Sequence, residues 1–394
     1  MESQLPFRLR VGNVLWQHVI QPYLFRKDPE DAHVSTVHTL QQIQSYGLTP
    51  LVRYLFQSYH THTKSLRNIT LIGGVAWKNK VGLAAGFDKN AEVLHALDAF
   101  GFGAIEVGTV TPRPQEGNPK PRVFRHPDAR AIVNRYGFNS KGADAVAENI
   151  AKTHRNYTIT CPIGVSIGKN KDTLEKNAVD DYVWAFRTLA PVLRQNVDYV
   201  KINISSPNTP GLRSLFDRLD EFLEEFRGRI SRIATWDVPL YLKVPPDIIT
   251  QKEYTRIVEI AAKHRISAIE ATNTTANPEY KKACGIPIAQ EGGLSGEPLR
   301  LATDAALAML HPAAKQYGID LIGVGGISCG EHALEKITRG KAKAIQIYTG
   351  LVFRGPILLH EILEKLHSEG LAKKEIRMPF KPDENVRILP KRIQ

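Results

Sequence analysis

Two glycine-bearing stretches late in the chain, GVGGIS at 323–328 and YTG at 348–350, each close an apolar run. Gly325 and Gly326 let backbone N–H groups turn towards a ligand, and Thr349 and Gly350 are placed to open a short helix. Backbone donors of this kind hold a phosphate without a basic side chain. A glycine pair alone is an ordinary turn signal; the two loops together point to a phosphorylated ligand. Polar groups also stand at or just beyond the ends of other apolar runs: Lys89 with Asn90, Thr109, Ser166, Asn203 with Ser206, Lys243 and Asn273. A mononucleotide flavin fits this set. Its phosphate would lie on the glycine loops and its ring over Ala84–Ala85–Gly86, with Lys89 and Lys243 favouring the electron-rich reduced form. Either lysine also reads as a solvated surface charge. No GxGxxG opens a helix after a strand, so a nicotinamide-binding domain is not expected.

The elements that would position these groups are eight short apolar runs, at 81–85, 104–108, 162–167, 199–204, 240–244, 267–272, 320–324 and 343–348, each followed by a helical stretch or a long connection. Their sparse polarity suits strands buried on both faces. A closed parallel barrel satisfies eight such repeats, a doubly wound open sheet being the alternative, and a barrel gathers chemistry at the carboxyl ends of its strands. The stretch TPRPQEGNPKPRVF reads as mostly irregular loop.

The first eighty residues stand apart. NVLWQHVIQPYLF (13–25) has an amphipathic pattern disturbed near Pro22. Asp28 and Pro29 then announce a helix reaching Gly47, and LVRYLF (51–56) adds a third apolar cluster. These helices read either as packing over one barrel end or as a groove open to lipid. The formal charge of +12 attracts anionic surfaces, yet Lys and Arg are scattered and nucleic-acid motifs are lacking, so nucleic acid is not an expected partner. Cys161, Cys284 and Cys329 have no ligand spacing, so neither a metal site nor a disulfide scaffold is expected. There is no run of eighteen apolar residues, so no single helix is expected to span a bilayer.

GLAAGFDKN (82–90), GTVTPRPQEGNPKPR (108–122), NRYGFNSKG (134–142), INISSPNTPGLR (202–213), TNTT (272–275) and GGLSG (292–296), with GVGGIS and YTG, resemble the motifs of dihydroorotate dehydrogenases in their proper order. DPEDAH, from Asp28, is similar to the membrane-associated class. The resemblance implies FMN-dependent oxidation of (S)-dihydroorotate to orotate in pyrimidine synthesis, with ubiquinone or a related quinone as electron acceptor. It implies Ser206 as the base and Thr209 as its link to water; the soluble class places cysteine at the base position. Implied flavin contacts are Ala85, Gly86, Lys89, Thr109, Asn203, Lys243, Thr272, Gly296, Gly326, Tyr348 and Thr349, with Gly325 and Gly350 from the two loops. Ser166 stands where relatives commonly present asparagine to the flavin, a contact that serine would lose or bridge by water. Implied substrate contacts are Lys89, Asn134, Arg135, Tyr136, Gly137, Phe138, Asn203, Asn208, Asn273 and Thr274, although Phe138 also reads as core packing. His33, Arg125 and Tyr348 match the quinone tunnel.

The expected fold is therefore α/β, a (β/α)8 TIM barrel with an N-terminal helical membrane-associating segment. Residues 1–60 would be amphipathic helices forming the quinone tunnel, 61–80 a connector, 81–370 the FMN-binding barrel and 371–394 a basic tail. A monomer is expected, associated peripherally with the mitochondrial inner membrane, whole or N-terminally truncated, or with a bacterial cytoplasmic membrane. The competing activities are a cytosolic fumarate-type dihydroorotate dehydrogenase, a flavin-dependent RNA uridine reductase, and a membrane-associated barrel that binds flavin without turnover.

Overall fold

The apolar runs become eight parallel strands: β1 (Val81–Asp88), β2 (Ile105–Val110), β3 (Ile163–Ile167), β4 (Tyr199–Asn203), β5 (Leu240–Val244), β6 (Ala268–Ala271), β7 (Asp320–Val324) and β8 (Ala344–Ile347). Each pairs with its successor, and β8 pairs with β1 to close the barrel. The computed structural model describes residues 5–58, 69–209, 211–233, 236–248 and 250–371. Part of the expected connector, 61–68, and nearly all of the expected tail, from 372, lie outside the described residues. Every residue of β3, β4 and β5 is buried, because the barrel interior covers one face and helices cover the other. The helix Ala178–Leu189 shows how: Val179, Tyr182, Val183 and Phe186 recur at helical spacing and are all buried.

Two additions were not apparent from the pattern of runs. Thr70–Ile72 and Val75–Trp77 form an antiparallel hairpin within the stretch expected as a connector. Trp77 is fully buried and stacks on Tyr199, ring centroids 6.3 Å apart. The Tyr241 hydroxyl donates to the Ile72 carbonyl at 2.6 Å. Since Tyr199 and Tyr241 sit at the starts of β4 and β5, the hairpin stoppers the amino end of the barrel. At the other end, Val123–His126, Ala131–Asn134 and Gly293–Gly296 form a three-stranded antiparallel sheet. The end of the expected loop is thus ordered by the neighbouring strand Ala131–Asn134, which in turn pairs with a segment more than a hundred residues away.

Among the described residues four α-helices precede the barrel: α1 (Phe7–Leu15), α2 (Gln21–Phe25), α3 (Pro29–Ser45) and α4 (Thr49–Phe56). A π-helical turn, Trp16–Ile20, joins α1 to α2, which has Pro22 in its first turn. The Asp28 carboxylate caps α3 by accepting the N–H of Glu30 at 2.8 Å. Gly12 lets α1 meet α4 closely, since a Cβ there would lie 2.5 Å from the Leu55 carbonyl oxygen. The expected fold needs one correction. Among the described residues no helix is long and apolar enough to cross a membrane, which overturns the N-terminal membrane segment of the expected fold. Three of the four helices have nine residues or fewer, and α3 is punctuated by polar side chains; α3 and α4 pack on the helix Leu94–Asp98, and α1 on Ile357–Ser368.

Candidate active site

A cavity of about 620 Å³ opens at the carboxyl ends of the strands and runs beneath the π-helical turn, α2, α3 and α4, within the usual range for small-molecule sites. It has a polar limb around Ser206, Asn208 and Asn273, a middle bounded by the glycine loops, and an apolar limb beside Trp16, Tyr23 and His33.

In the polar limb the strand ends are tied together by one string of hydrogen bonds. The Asn203 amide donates to Thr109 Oγ1 at 2.8 Å, and Thr109 shares a 2.9 Å hydrogen bond with Ser166. Asn273 donates to Asn203 Oδ1 at 3.2 Å and to Ser205 Oγ at 2.9 Å. Ser206 is almost buried, and its Oγ accepts the Asn208 N–H at 3.3 Å. Asn208 in turn donates to the Asn134 carbonyl at 3.0 Å. Thr274, Tyr136, Gly137 and Phe138 also line this limb. Phe138 has φ +55°, a left-handed conformation uncommon for a bulky residue, and its ring packs on Gly168, where a Cβ would approach within 2.8 Å.

Three sequence-predicted residues lie outside the lining. Arg135 turns its guanidinium to Glu291 at 2.7 Å. Ser166 is fully buried behind Thr109. The Thr209 hydroxyl is buried and has no hydrogen-bond partner among the described residues.

Lys89 Nζ donates to Asn139 Oδ1 at 2.8 Å and sits 3.0 Å from the Tyr136 ring centroid. Burial holds its pKa well below the ordinary lysine value, with Arg122 adding to the effect and Glu30 opposing it. The cation, which would bind a carboxylate, is lost as pH rises through that depressed pKa. Affinity for a small carboxylate ligand in this limb, titrated between pH 6 and 10, is therefore expected to fall towards alkaline pH. A flat profile to pH 10 would remove Lys89 from anion binding.

In the middle of the cavity, Gly325 and Gly326 have φ +116° and +71°. A Cβ on Gly326 would meet Arg300 Cα at 2.3 Å, and one on Gly350 the Ile327 carbonyl oxygen at 2.1 Å. Gly296, at φ +101°, would put a Cβ 2.2 Å from the Arg130 carbonyl oxygen. Thr349 shares a 2.9 Å hydrogen bond with Ser295. Ala85, Gly86, Thr272 and Tyr348 complete this zone. Beneath it Lys243, almost buried, lies 3.5 Å from Glu270. Glu270 also meets Lys201 at 2.9 Å, and Lys201 reaches Glu106, which accepts the Tyr199 hydroxyl at 2.9 Å. Burial resists ionisation of Glu106, but the Lys201 ammonium prevails and brings it down to about 2. Burial and the Glu106 carboxylate push Glu270 up to about 8.

The apolar limb has few polar groups. His33 meets Phe87 edge-on with centroids 5.6 Å apart, and Phe87 meets Tyr348 at 6.0 Å. Burial, helped by the Lys89 charge, lowers His33 to about 3, so its imidazole is neutral at pH 7. Arg125 lies over the Phe25 ring at 4.1 Å and donates to the Phe25 carbonyl at 2.9 Å.

The family model described as dihydroorotate dehydrogenase matches residues 68–369. The chain belongs to the dihydroorotate dehydrogenase family. It is 40% identical to a dihydroorotate dehydrogenase (quinone) from Methylobacillus flagellatus, over 88% of this chain and 98% of that one. Against the enzyme of the same name from Ralstonia nicotianae it is 41% identical, over 88% and 97%. A crystal structure of DHODH from Eimeria tenella in complex with ferulenol matches with TM-score 0.75 at 32% identity, covering 88% of this chain and 93% of that one. Beside the motifs shared with dihydroorotate dehydrogenases, the geometry brings in residues that the sequence reading did not single out: Asn139 beside Lys89, Ser295 beside Thr349, and Glu270 beside Lys243. Asn139 and Ser295 lay unremarked inside the motifs NRYGFNSKG and GGLSG, and Glu270 stood as a lone acid within the apolar run SAIEAT.

Proposed function

We infer that the chain oxidises (S)-dihydroorotate to orotate in pyrimidine synthesis, with FMN as its resident cofactor and a quinone as electron acceptor. The observation that carries this reading is a single cavity joining the Ser206-bearing polar limb to an apolar limb beneath the helices, with the glycine loops between them. The residues fit FMN: glycines whose Cβ positions are already taken, backbone donors at Gly325 and Gly326, and an almost buried ammonium at Lys243. Gly325, Gly326, Thr349 and Gly350 would hold the phosphate. Ala85, Gly86, Lys89, Thr109, Asn203, Lys243, Thr272, Gly296 and Tyr348 would hold the rest. When bound, FMN supplies a two-electron acceptor for hydride and a donor to the quinone.

The chain's own groups would do the rest. Lys89 would bind the substrate carboxylate, while Asn134, Asn203, Asn208, Asn273 and Thr274 offer amide and hydroxyl partners to its ring. Tyr136, Gly137 and Phe138 would cover it, and Arg135 would act through its backbone, since its side chain is engaged by Glu291. Ser206 Oγ would take the proton from the carbon beside the one that loses hydride. A serine hydroxyl is a weak base and needs an outlet for that proton; the unpartnered Thr209 hydroxyl fits that duty. His33, Arg125 and Tyr348 would line the path of the quinone head. A lipophilic quinone implies peripheral contact with a membrane, mitochondrial inner or bacterial cytoplasmic.

Ser166 would act on the flavin through Thr109, not directly. Ser166→Asn is expected to crowd a fully buried position and displace the Thr109 hydroxyl, weakening FMN binding by about threefold to tenfold. Unchanged FMN affinity and reduction potential would remove that role.

Anaerobic addition of dihydroorotate to the FMN-loaded protein tests the activity. The yellow absorbance should bleach, then return with a quinone and not with fumarate. Persistent colour under excess dihydroorotate refutes the reading, and return with fumarate alone favours the soluble class.

A further inference from the structure

We propose that Glu30, on the helix that lines the quinone limb, is a positioning residue for the substrate limb, acting through Arg122 and Asn118. This rests on the activity inferred above. Glu30 and Arg122 are each only 6% exposed, far from the usual state of such residues. Arg122 Nε donates to Glu30 Oε2 at 3.0 Å and Nη2 to Oε1 at 2.8 Å, a two-pronged pairing. The remaining Arg122 nitrogen, Nη1, donates to the Asn118 carbonyl at 2.9 Å and to that of Glu116. Asn118 then reaches two segments of the polar limb. Its amide donates to the Arg135 carbonyl at 2.7 Å and to the Asn208 carbonyl at 3.4 Å. Asn208 is the residue whose N–H meets Ser206 Oγ. Three residues after Glu30 on the same helix, His33 lines the other limb.

Packing alone does not account for this arrangement. A buried ion pair adds little net stability over an apolar pair of similar volume, so its value lies in what it orients. Here the carboxylate fixes a guanidinium that holds a loop, and the loop carries the carboxamide that meets the Ser206 segment. The ion pair is strong enough to keep its charge: burial resists ionisation of Glu30, but Arg122, with Lys120 and Lys89, holds its pKa below the ordinary value. None of these three residues is needed to touch the reacting atoms.

The test uses FMN-loaded wild type, Glu30→Gln, Asn118→Ala and the double variant. Orotate affinity is read by flavin absorbance, and reduction by dihydroorotate in an anaerobic stopped-flow instrument. Each single variant is expected to raise the orotate Kd and the half-saturating dihydroorotate concentration by about threefold to tenfold. The limiting reduction rate at saturation should stay within about twofold, and the double variant should be no worse than the poorer single one, because both cut the same chain. A general loss of structure would instead lower the limiting rate and release FMN. Glu30 also lies in the field of Lys89, so Asn118→Ala, which leaves the carboxylate in place, decides the matter if Glu30→Gln does not hold FMN. Unchanged orotate affinity in Asn118→Ala, or additive losses in the double variant, overturns the proposal. A wild type that never bleaches overturns the activity itself, so the two failures are told apart.

Discussion

Ser206→Ala should hold FMN and bind orotate within a few-fold of wild type, yet be reduced by dihydroorotate about a hundredfold to ten-thousandfold more slowly, the range for removing a positioned proton acceptor. The loss is specific because, among the described residues, Ser206 Oγ takes part in one hydrogen bond, from the Asn208 N–H at 3.3 Å, and its removal leaves the Asn203–Asn273–Ser205 ties intact. Reoxidation of chemically reduced Ser206→Ala by quinone should be unchanged, since the apolar limb does not include this side chain. Ser206→Cys supplies a more acidic group, with an ordinary thiol pKa of about 8.5, and should shift the pH profile of reduction without abolishing it. Rapid-mixing measurement of flavin bleaching separates these outcomes. A rate for Ser206→Ala within about tenfold of wild type would place the proton elsewhere.

The second large effect concerns stability. Lys201 is fully buried between Glu106 and Glu270, and Glu106 also receives the Tyr199 hydroxyl. Lys201→Met keeps the bulk but strands the Glu106 carboxylate in the barrel interior. Breaking such a pair by removing one partner costs about 3–5 kcal/mol, far more than an exposed pair. Lys201→Met with Glu106→Gln should recover much of that loss, because no unpaired charge remains. Denaturant titration of the two variants provides the check, and a loss below about 1 kcal/mol for Lys201→Met would show that solvent or rearrangement relieves the charge. Lys243, above this cluster, would lose a like-charged neighbour and keep Glu270 at 3.5 Å, so FMN binding should survive in the folded fraction of Lys201→Met.

The barrel was legible because fully buried parallel strands write themselves as short apolar runs, and the ends of those runs carried Asn203, Lys243 and the glycine loops to the same rim. The hairpin at Thr70–Trp77 was not, since strands of three residues leave too little alternation to recognise. The Val123–His126 and Ala131–Asn134 pair escaped for a different reason: its third strand, Gly293–Gly296, comes from another loop, and prolines nearby spoke for irregular chain. Ser166 shows the limit at the site itself. Its place near the end of an apolar run said nothing about Thr109 standing between it and the cavity. Arg135 sits inside a motif shared with relatives, yet its side chain leaves the polar limb for Glu291. At the amino end of the chain, amphipathic patterning was visible, but a pattern of exposed and buried faces does not say what the exposed face meets; the helices pack on the barrel, and among the described residues none is long and apolar enough to cross a membrane.

The stopper formed by Trp77, Tyr199 and Tyr241 has a kinetic corollary. A vessel corked at its base gives molecules no passage along the barrel axis past the stacked rings. Substrate, product and fresh acceptor must therefore share the cavity at the upper rim.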